Sequence, residues 1–187
     1  LIVKGAPEEV FRRCTRLEMS GEMVVIDPAF LADIGEEYDA LSTNGFRVLA
    51  VAYREVPPTD GVTTEDETDL VLCGYVAFLD PPKETARAAI KALERAGITV
   101  KTLTGDNELV SRTICRSVGI ATRHVITGAD IALMSDAQLA DAAEKASIFA
   151  RVSPADKQRI IRSLQAKSHV VGYMGDGIND APALHTD

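Results

Sequence analysis

The pattern of hydrophobic and polar positions changes near residue 80. Before it, short apolar runs typical of strands are separated by two helical patterns and an acidic loop over residues 57–69. One helix is predicted from Pro7 to about Cys14, and a second from Asp27-Pro28 to Asn44-Gly45. The predicted strands of this part are residues 1–3, 23–26, 47–56 and 70–79.

From residue 80 onward, predicted strands and helices alternate regularly. This order is typical of a parallel sheet covered by helices, as in Rossmann-like α/β folds. The predicted helices span residues 83–96, 106–119, 135–146 and 153–167, and the predicted strands span residues 98–103, 148–152 and 170–174. We therefore predict two domains, residues 1–76 and residues 77–187.

Composition excludes several classes of protein. The net charge of −8 argues against a nucleic-acid partner, and the 46% hydrophobic content supports a real core. Cys14, Cys73 and Cys115 lie far apart without a C-x-x-C pair, so we expect reduced thiols. The longest apolar run, residues 70–79, is too short to cross a bilayer. Because the sequence starts at Leu1 without Met, we expect a soluble piece of a larger protein.

Carboxylates cluster near the end of the sequence, in VVGYMGDGINDAPAL at residues 170–184. Asp176 and Asp180 follow an apolar run that turns at two glycines. Carboxylates at the end of a buried strand are suited to Mg²⁺, which takes few protein ligands and shares phosphate oxygens. The alternative interpretation is a solvated Asp-Gly turn.

Two further polar positions predict a phosphate site. Thr104-Gly105-Asp106-Asn107 joins a predicted strand to a helix, where backbone N–H groups and a hydroxyl can bind an anion. Lys157 lies in the first turns of the helix that begins at Ser153-Pro154. Taken singly, an ordinary helix cap and a solvated surface lysine are the favoured interpretations. Together they match the needs of phosphoryl transfer, which are positioning and charge neutralisation.

GDGINDAPAL resembles the hinge motif of P-type cation-transporting ATPases, members of the haloacid-dehalogenase superfamily. Asp80-Pro81-Pro82-Lys83 is similar to the family's DPPR element, with lysine in place of arginine. The resemblance implies a phosphate-handling TGD motif, a charge-neutralising lysine, an Mg²⁺ site and a residue that supports it. These roles fall on Thr104, Gly105 and Asp106, on Lys157, on Asp176 and Asp180, and on Asn179, respectively.

Two upstream motifs extend the resemblance over essentially the whole chain. Lys4 and Gly5 open KGAPE, which resembles the family's nucleotide motif, and Arg47 in NGFR matches an arginine that contacts ATP phosphates. The implied fold is part of an α+β antiparallel nucleotide-binding domain, followed by a haloacid-dehalogenase-like phosphorylation domain. The strings LIVKGAPEEV, FLDPPKETA and KTLTGDNELV look most like bacterial magnesium-translocating ATPases.

The resemblance also implies cofactors, partners and a location. The parent protein would use ATP and Mg²⁺ and move a divalent cation through a membrane domain formed by other segments of the same pump. It would lie in the cell membrane, with this segment facing the cytoplasm.

One element of the family pattern is not among these residues: the aspartate nucleophile of the DKTGT motif. We therefore expect the fragment itself to be inactive and its sheet to lack the nucleophile strand. In the family, that strand lies between the equivalents of residues 98–103 and 170–174. These two strands should then either stay about 10 Å apart, with the gap filled, or pair directly.

Two other functions remain open. A soluble phosphatase of the same superfamily would share the threonine, lysine and aspartates, although it has no reason to carry KGAPE, DPPK and NDAPAL. A non-catalytic nucleotide-binding module is the second alternative. Flanking sequence with DKTGT and apolar runs of about 20 residues would favour the pump. A dinucleotide site is disfavoured because no G-x-G-x-x-G follows a strand.

Overall fold

The computed structural model describes residues 1–58 and 61–175. Its residues fall into two compact units, one up to Asp80 and one from Pro81 onward. Each unit has its own sheet and its own hydrophobic core. The chain is therefore a mixed α/β protein.

The first unit is built on a five-stranded sheet in the order β1-β4-β5-β2-β3. Three of its four ladders are antiparallel, whereas β2 and β5 run parallel. The prediction of an antiparallel sheet is therefore wrong at this one ladder. The elements are β1 (Ile2–Gly5), α1 (Pro7–Phe11), β2 (Cys14–Met19), β3 (Glu22–Val25), α2 (Pro28–Thr43), β4 (Phe46–Tyr53), a short 3-10 helix (Thr64–Asp66) and β5 (Leu70–Leu79).

One face of this sheet is packed and the other is open. Along β4, Val48, Ala50 and Ala52 are buried, while the residues between them are more exposed, as expected for side chains that alternate across a strand. The packed face meets α1 and α2: Phe11 lies edge-on to Tyr75, with ring centroids 5.8 Å apart. The Tyr75 hydroxyl donates to the Ile34 carbonyl at 2.9 Å, which ties α2 to β5.

The first predicted helix is too long. It ends at Phe11, and Cys14 begins strand β2, which sequence analysis missed. Only Leu17 of that strand is buried, and the strand sequence CTRLEM contains no apolar run that would predict a strand. The strand is stabilised by a distant partner, since Leu17 pairs with Leu72 of β5.

The second unit contains a three-stranded parallel sheet in the order β6-β8-β7. Phe149, Ile160, Ile131 and Leu139 are fully buried around it. The elements are α3 (Ala86–Arg95), β6 (Thr102–Leu103), α4 (Glu108–Val118), β7 (Val125–Thr127), α5 (Gly128–Leu133), α6 (Asp136–Lys145), β8 (Ile148–Ala150) and α7 (Pro154–Ala166).

Helix ends in this unit follow local capping chemistry. The predicted caps Ser135 and Ser153 are confirmed, and Asn107 caps α4 one residue after the predicted start; each of the three accepts a backbone N–H through its side chain. The helix predicted from residue 83 begins only at Ala86. Gly119 ends α4 in the left-handed region at a φ of 94°, which glycine adopts without strain. Sequence analysis missed β7 and α5, which are too short to show a period.

The predicted strand at residues 170–174 is wrong. These residues form no strand, and Val170 and Met174 are almost fully exposed. Only Val171 packs against the core cluster. A strand needs a neighbour for its backbone groups, and within the described residues β6 pairs with β8 instead. Direct pairing of residues 98–103 with residues 170–174 is therefore excluded.

Candidate functional site

The loop that follows β6 is a tight polar turn at the carboxyl end of the parallel sheet. The Thr104 N–H donates to the Phe149 carbonyl of β8 at 2.9 Å, which continues the ladder. The Thr104 hydroxyl accepts the Asp106 N–H at 3.1 Å and lies 3.2 Å from an Asp106 carboxylate oxygen. The hydroxyl and the carboxylate are thus held side by side.

This loop is bound to the connection between β8 and α7. The Val152 N–H donates to the Thr104 carbonyl at 3.1 Å, and the Arg151 N–H donates to the Asp106 carbonyl at 2.9 Å. Gly105, between them, is exposed. Two consecutive backbone N–H groups of one connection therefore fix both ends of the predicted phosphate loop.

Helix α7 begins directly after that connection. Ser153 and Asp156 form a reciprocal capping box, and the Lys157 N–H donates to the Ser153 carbonyl at 3.1 Å. Lys157 is half-buried in the first turns of α7. The structure thus brings the Thr104 loop and the start of the Lys157 helix to one edge of the sheet, where the N-terminal half of the helix dipole favours anions.

The turn from β7 into α5 packs closely against the same connection. A Cβ built on Gly128 would lie well inside contact distance of the Arg151 carbonyl oxygen and 3.5 Å from an Asp156 carboxylate oxygen. Arg151 itself has a φ of 53°, which is unusual for a residue with a side chain. Sequence analysis missed this contact, because its only local signal is the capping box of Thr127 and Asp130.

That capping box also stabilises the charged form of its acid. The Thr127 hydroxyl, followed by the Thr127 backbone N–H, holds the pKa of Asp130 below its ordinary value. Asp130 therefore remains ionised at neutral pH beside the start of α5, which favours a negative charge.

The predicted nucleotide residues lie on the open face of the first unit. Lys4 is exposed and pairs with Val51 of β4, and Arg47, also exposed, lies four residues before Val51 on the same strand. Residues that pair across strands share a face, and positions two or four apart on one strand do so as well. Lys4 and Arg47 therefore share one face, about 13 Å apart along the strand direction. Gly5, the next residue of β1, pairs with Ala50.

The predicted metal and hinge residues Asp176, Asn179 and Asp180 lie outside the described residues. Within residues 1–58 and 61–175, no cluster of three or more His, Cys, Asp or Glu side chains is arranged to hold a metal ion. In the same part of the chain, no helix combines the length and the apolar character needed to cross a bilayer.

Comparison with known proteins identifies the family. Residues 1–85 match the family model described as P-type ATPase, cytoplasmic domain N. The similarity to P-type ATPases extends over 98% of the chain. The chain therefore belongs to the P-type ATPases, as the motifs predicted.

The relatives include transporters of two ions. The chain is 48% identical over 185 residues to the magnesium-transporting ATPase, P-type 1, of Escherichia coli K12. This match covers 98% of the chain but only 21% of the E. coli protein. A magnesium-transporting ATPase of Salmonella typhimurium is also 48% identical, with 20% of its length covered. A calcium-transporting ATPase of Listeria monocytogenes is 36% identical over 187 residues, with 98% of this chain and 21% of that protein covered. The chain thus spans about a fifth of the length of these relatives.

Proposed function

We propose that the chain is the nucleotide-binding and phosphorylation region of an ATP-driven cation pump, with Mg²⁺ as the transported ion. The observation that carries the proposal is the hydrogen bonding of the Thr104 loop to the connection that starts the Lys157 helix. In the second unit β6 and β8 are parallel neighbours, and the chain between them contains helices. This arrangement supports a haloacid-dehalogenase-like fold for the second unit. The 48% identity to a magnesium-transporting ATPase supports the choice of ion.

In this proposal the second unit handles the phosphoryl group. The Thr104 hydroxyl and the backbone of Gly105 bind phosphate oxygens, Asp106 orients the hydroxyl, and Lys157 neutralises charge that develops during transfer. Asp176 and Asp180 hold Mg²⁺, supported by Asn179. When bound, Mg²⁺ supplies charge neutralisation to the phosphate oxygens. The phosphoryl group passes to an aspartate of the complete pump, outside these residues.

The first unit binds ATP on the open face of its sheet. Lys4 and Arg47 place two positive charges on that face, where Val51 of β4 lies beside Lys4 and Leu49 lies between Val51 and Arg47. A flat, partly apolar surface suits a purine ring, while guanidinium and ammonium groups suit the phosphates. Gly5 lets the β1 end approach the nucleotide closely.

Replacing Arg47 by alanine is expected to weaken ATP binding to the chain about tenfold, because one charge-assisted contact to phosphate is lost. A titration with ATP followed by backbone NMR shifts measures the change. Arg12→Ala is the matched control: it removes the same charge from an exposed residue paired with Glu9 at the end of α1. Equal affinities for the Arg47→Ala variant and the wild type would contradict the proposed nucleotide face.

The proposed reaction is tested with the complete protein. With labelled ATP and Mg²⁺, it is expected to acquire an acid-stable, hydroxylamine-sensitive phosphate, whereas the 187-residue chain acquires none. Membrane vesicles that contain the complete protein should take up or release Mg²⁺ only when ATP is present. Hydrolysis of small phosphate esters by the chain alone, without any requirement for ATP, would instead favour the soluble phosphatase.

A further inference from the structure

Gly128 occupies a position where the fold has no space for a side chain. We propose that Gly128 is a positioning residue for the phosphoryl site: it fixes the Arg151 backbone that holds the Thr104–Asp106 loop. This inference rests on the proposed function, and it adds a residue from an element that none of the recognised motifs includes.

The turn from β7 into α5 and the connection from β8 to α7 meet at Gly128. Gly128 is the first residue of α5, and a Cβ there would overlap the Arg151 carbonyl oxygen. Backbone on both sides makes the contact stiff, since neither partner is the end of a flexible side chain. Any residue larger than glycine must therefore displace the Arg151 peptide group, the start of α5, or both.

Arg151 lies next to the residues that hold the phosphate loop. The Arg151 N–H binds the Asp106 carbonyl, and the next N–H, of Val152, binds the Thr104 carbonyl. Ser153, which follows, caps the helix that carries Lys157. Arg151 thus lies between the phosphate loop and the Lys157 helix, and a shift of its backbone changes their relative position.

The backbone of Arg151 adopts an unusual conformation. Its φ of 53° lies in the left-handed region, where a side chain makes the backbone unfavourable. Such a conformation persists only where surrounding contacts impose it, and the close approach of Gly128 is one such contact.

Replacing Gly128 by alanine in the complete protein is expected to lower kcat for ATP hydrolysis about 10- to 100-fold, because displacement of reacting groups by about 1 Å has effects of this size. KM for ATP is expected to change less than about twofold, since the proposed nucleotide residues are on other elements. Gly35→Ala is the matched control, because a Cβ at Gly35 meets nothing within 4 Å. Its kcat should equal that of the wild type.

A double-mutant cycle with Arg151→Gly identifies the route of the effect. Glycine at position 151 tolerates many backbone angles, so the displacement caused by the overlap can be absorbed within residue 151 and is not passed on to the loop. If Gly128 acts through Arg151, the double variant has the kcat of Arg151→Gly alone, whereas independent effects would multiply. The comparison remains valid even where Gly128→Ala alone does not fold, because the proposal requires the double variant to fold like Arg151→Gly.

Thr104→Ala separates this inference from the proposed function. If Thr104→Ala retains wild-type turnover, the phosphate site itself is wrong. If Thr104→Ala is impaired while Gly128→Ala keeps kcat within about twofold of the wild type, the site stands and the positioning role of Gly128 is refuted. The positioning role of Gly128 is also refuted if the kcat losses of Gly128→Ala and Arg151→Gly multiply in the double variant. It is refuted equally if the double variant fails to fold while Arg151→Gly folds.

Discussion

Replacing Lys157 by alanine is expected to slow phosphoryl transfer by the complete protein about 100- to 1,000-fold, the usual effect of removing one group that stabilises developing charge. Lys157 lies in the first turns of α7, whose start is bound through Val152 and Arg151 to the Thr104 loop. Lys157 therefore adds its positive charge at the N-terminal end of the helix dipole, the end that favours a bound anion. The fold should be retained, because the capping box of Ser153 and Asp156 is untouched.

The rate of appearance of acid-stable label from ATP measures this effect. Lys157→Arg keeps the charge and should retain more activity than Lys157→Ala, although the geometry of the two cations differs. Lys145→Ala is the matched control, because Lys145 is exposed in the last turn of α6. Label formation by Lys157→Ala at the wild-type rate would exclude Lys157 from the reaction.

Replacing Phe149 by alanine is expected to lower the free energy of unfolding of the second unit by about 3–5 kcal/mol. Phe149 is fully buried at the centre of β8, the middle strand of the three-stranded sheet. Its removal leaves a cavity beside Ile160 and Leu139 of the same core cluster. Because the Phe149 carbonyl also accepts the Thr104 N–H, loss of this packing should loosen the site.

Urea unfolding followed by far-UV circular dichroism, with the two units fitted as separate transitions, measures the change. Leu133→Ala provides the control, since Leu133 is 88% exposed, and substitutions at such positions change stability by about 0.5 kcal/mol or less. An equal, small effect of both substitutions would show that the β8 core is not packed as described.

The elements whose ends are set by neighbouring residues could be predicted from the sequence. α4, α6 and α7 were predicted because a capping residue and a helical period lie close together in sequence. β2 was missed and residues 170–174 were wrongly predicted as a strand for one reason: strand formation depends on a partner elsewhere in the chain. Leu17 has such a partner in Leu72, and residues 170–174 have none within the described residues.

The residues of the candidate site also fall into those that could be predicted from local sequence and those that could not. Thr104 and Lys157 could be singled out because each belongs to a compact motif with recognisable chemistry. The approach of Gly128 to Arg151 could not, since it depends on how two loops at the ends of β7 and β8 meet. Glycine in a Thr-Gly-Ala-Asp turn is typical of an ordinary helix start, so its tertiary role leaves no local pattern.

Strand β5 has a consequence for how the first unit is completed during synthesis. It is the last strand of that unit to leave the ribosome, yet it lies at the centre of the sheet, between β4 and β2. Of the four ladders among the described strands, two need no part of β5: β1 with β4 and β2 with β3. Isolated strand pairs are marginally stable in water, so these two halves become one sheet only when Leu70–Leu79 is available, and until then they are open to chaperones and proteases.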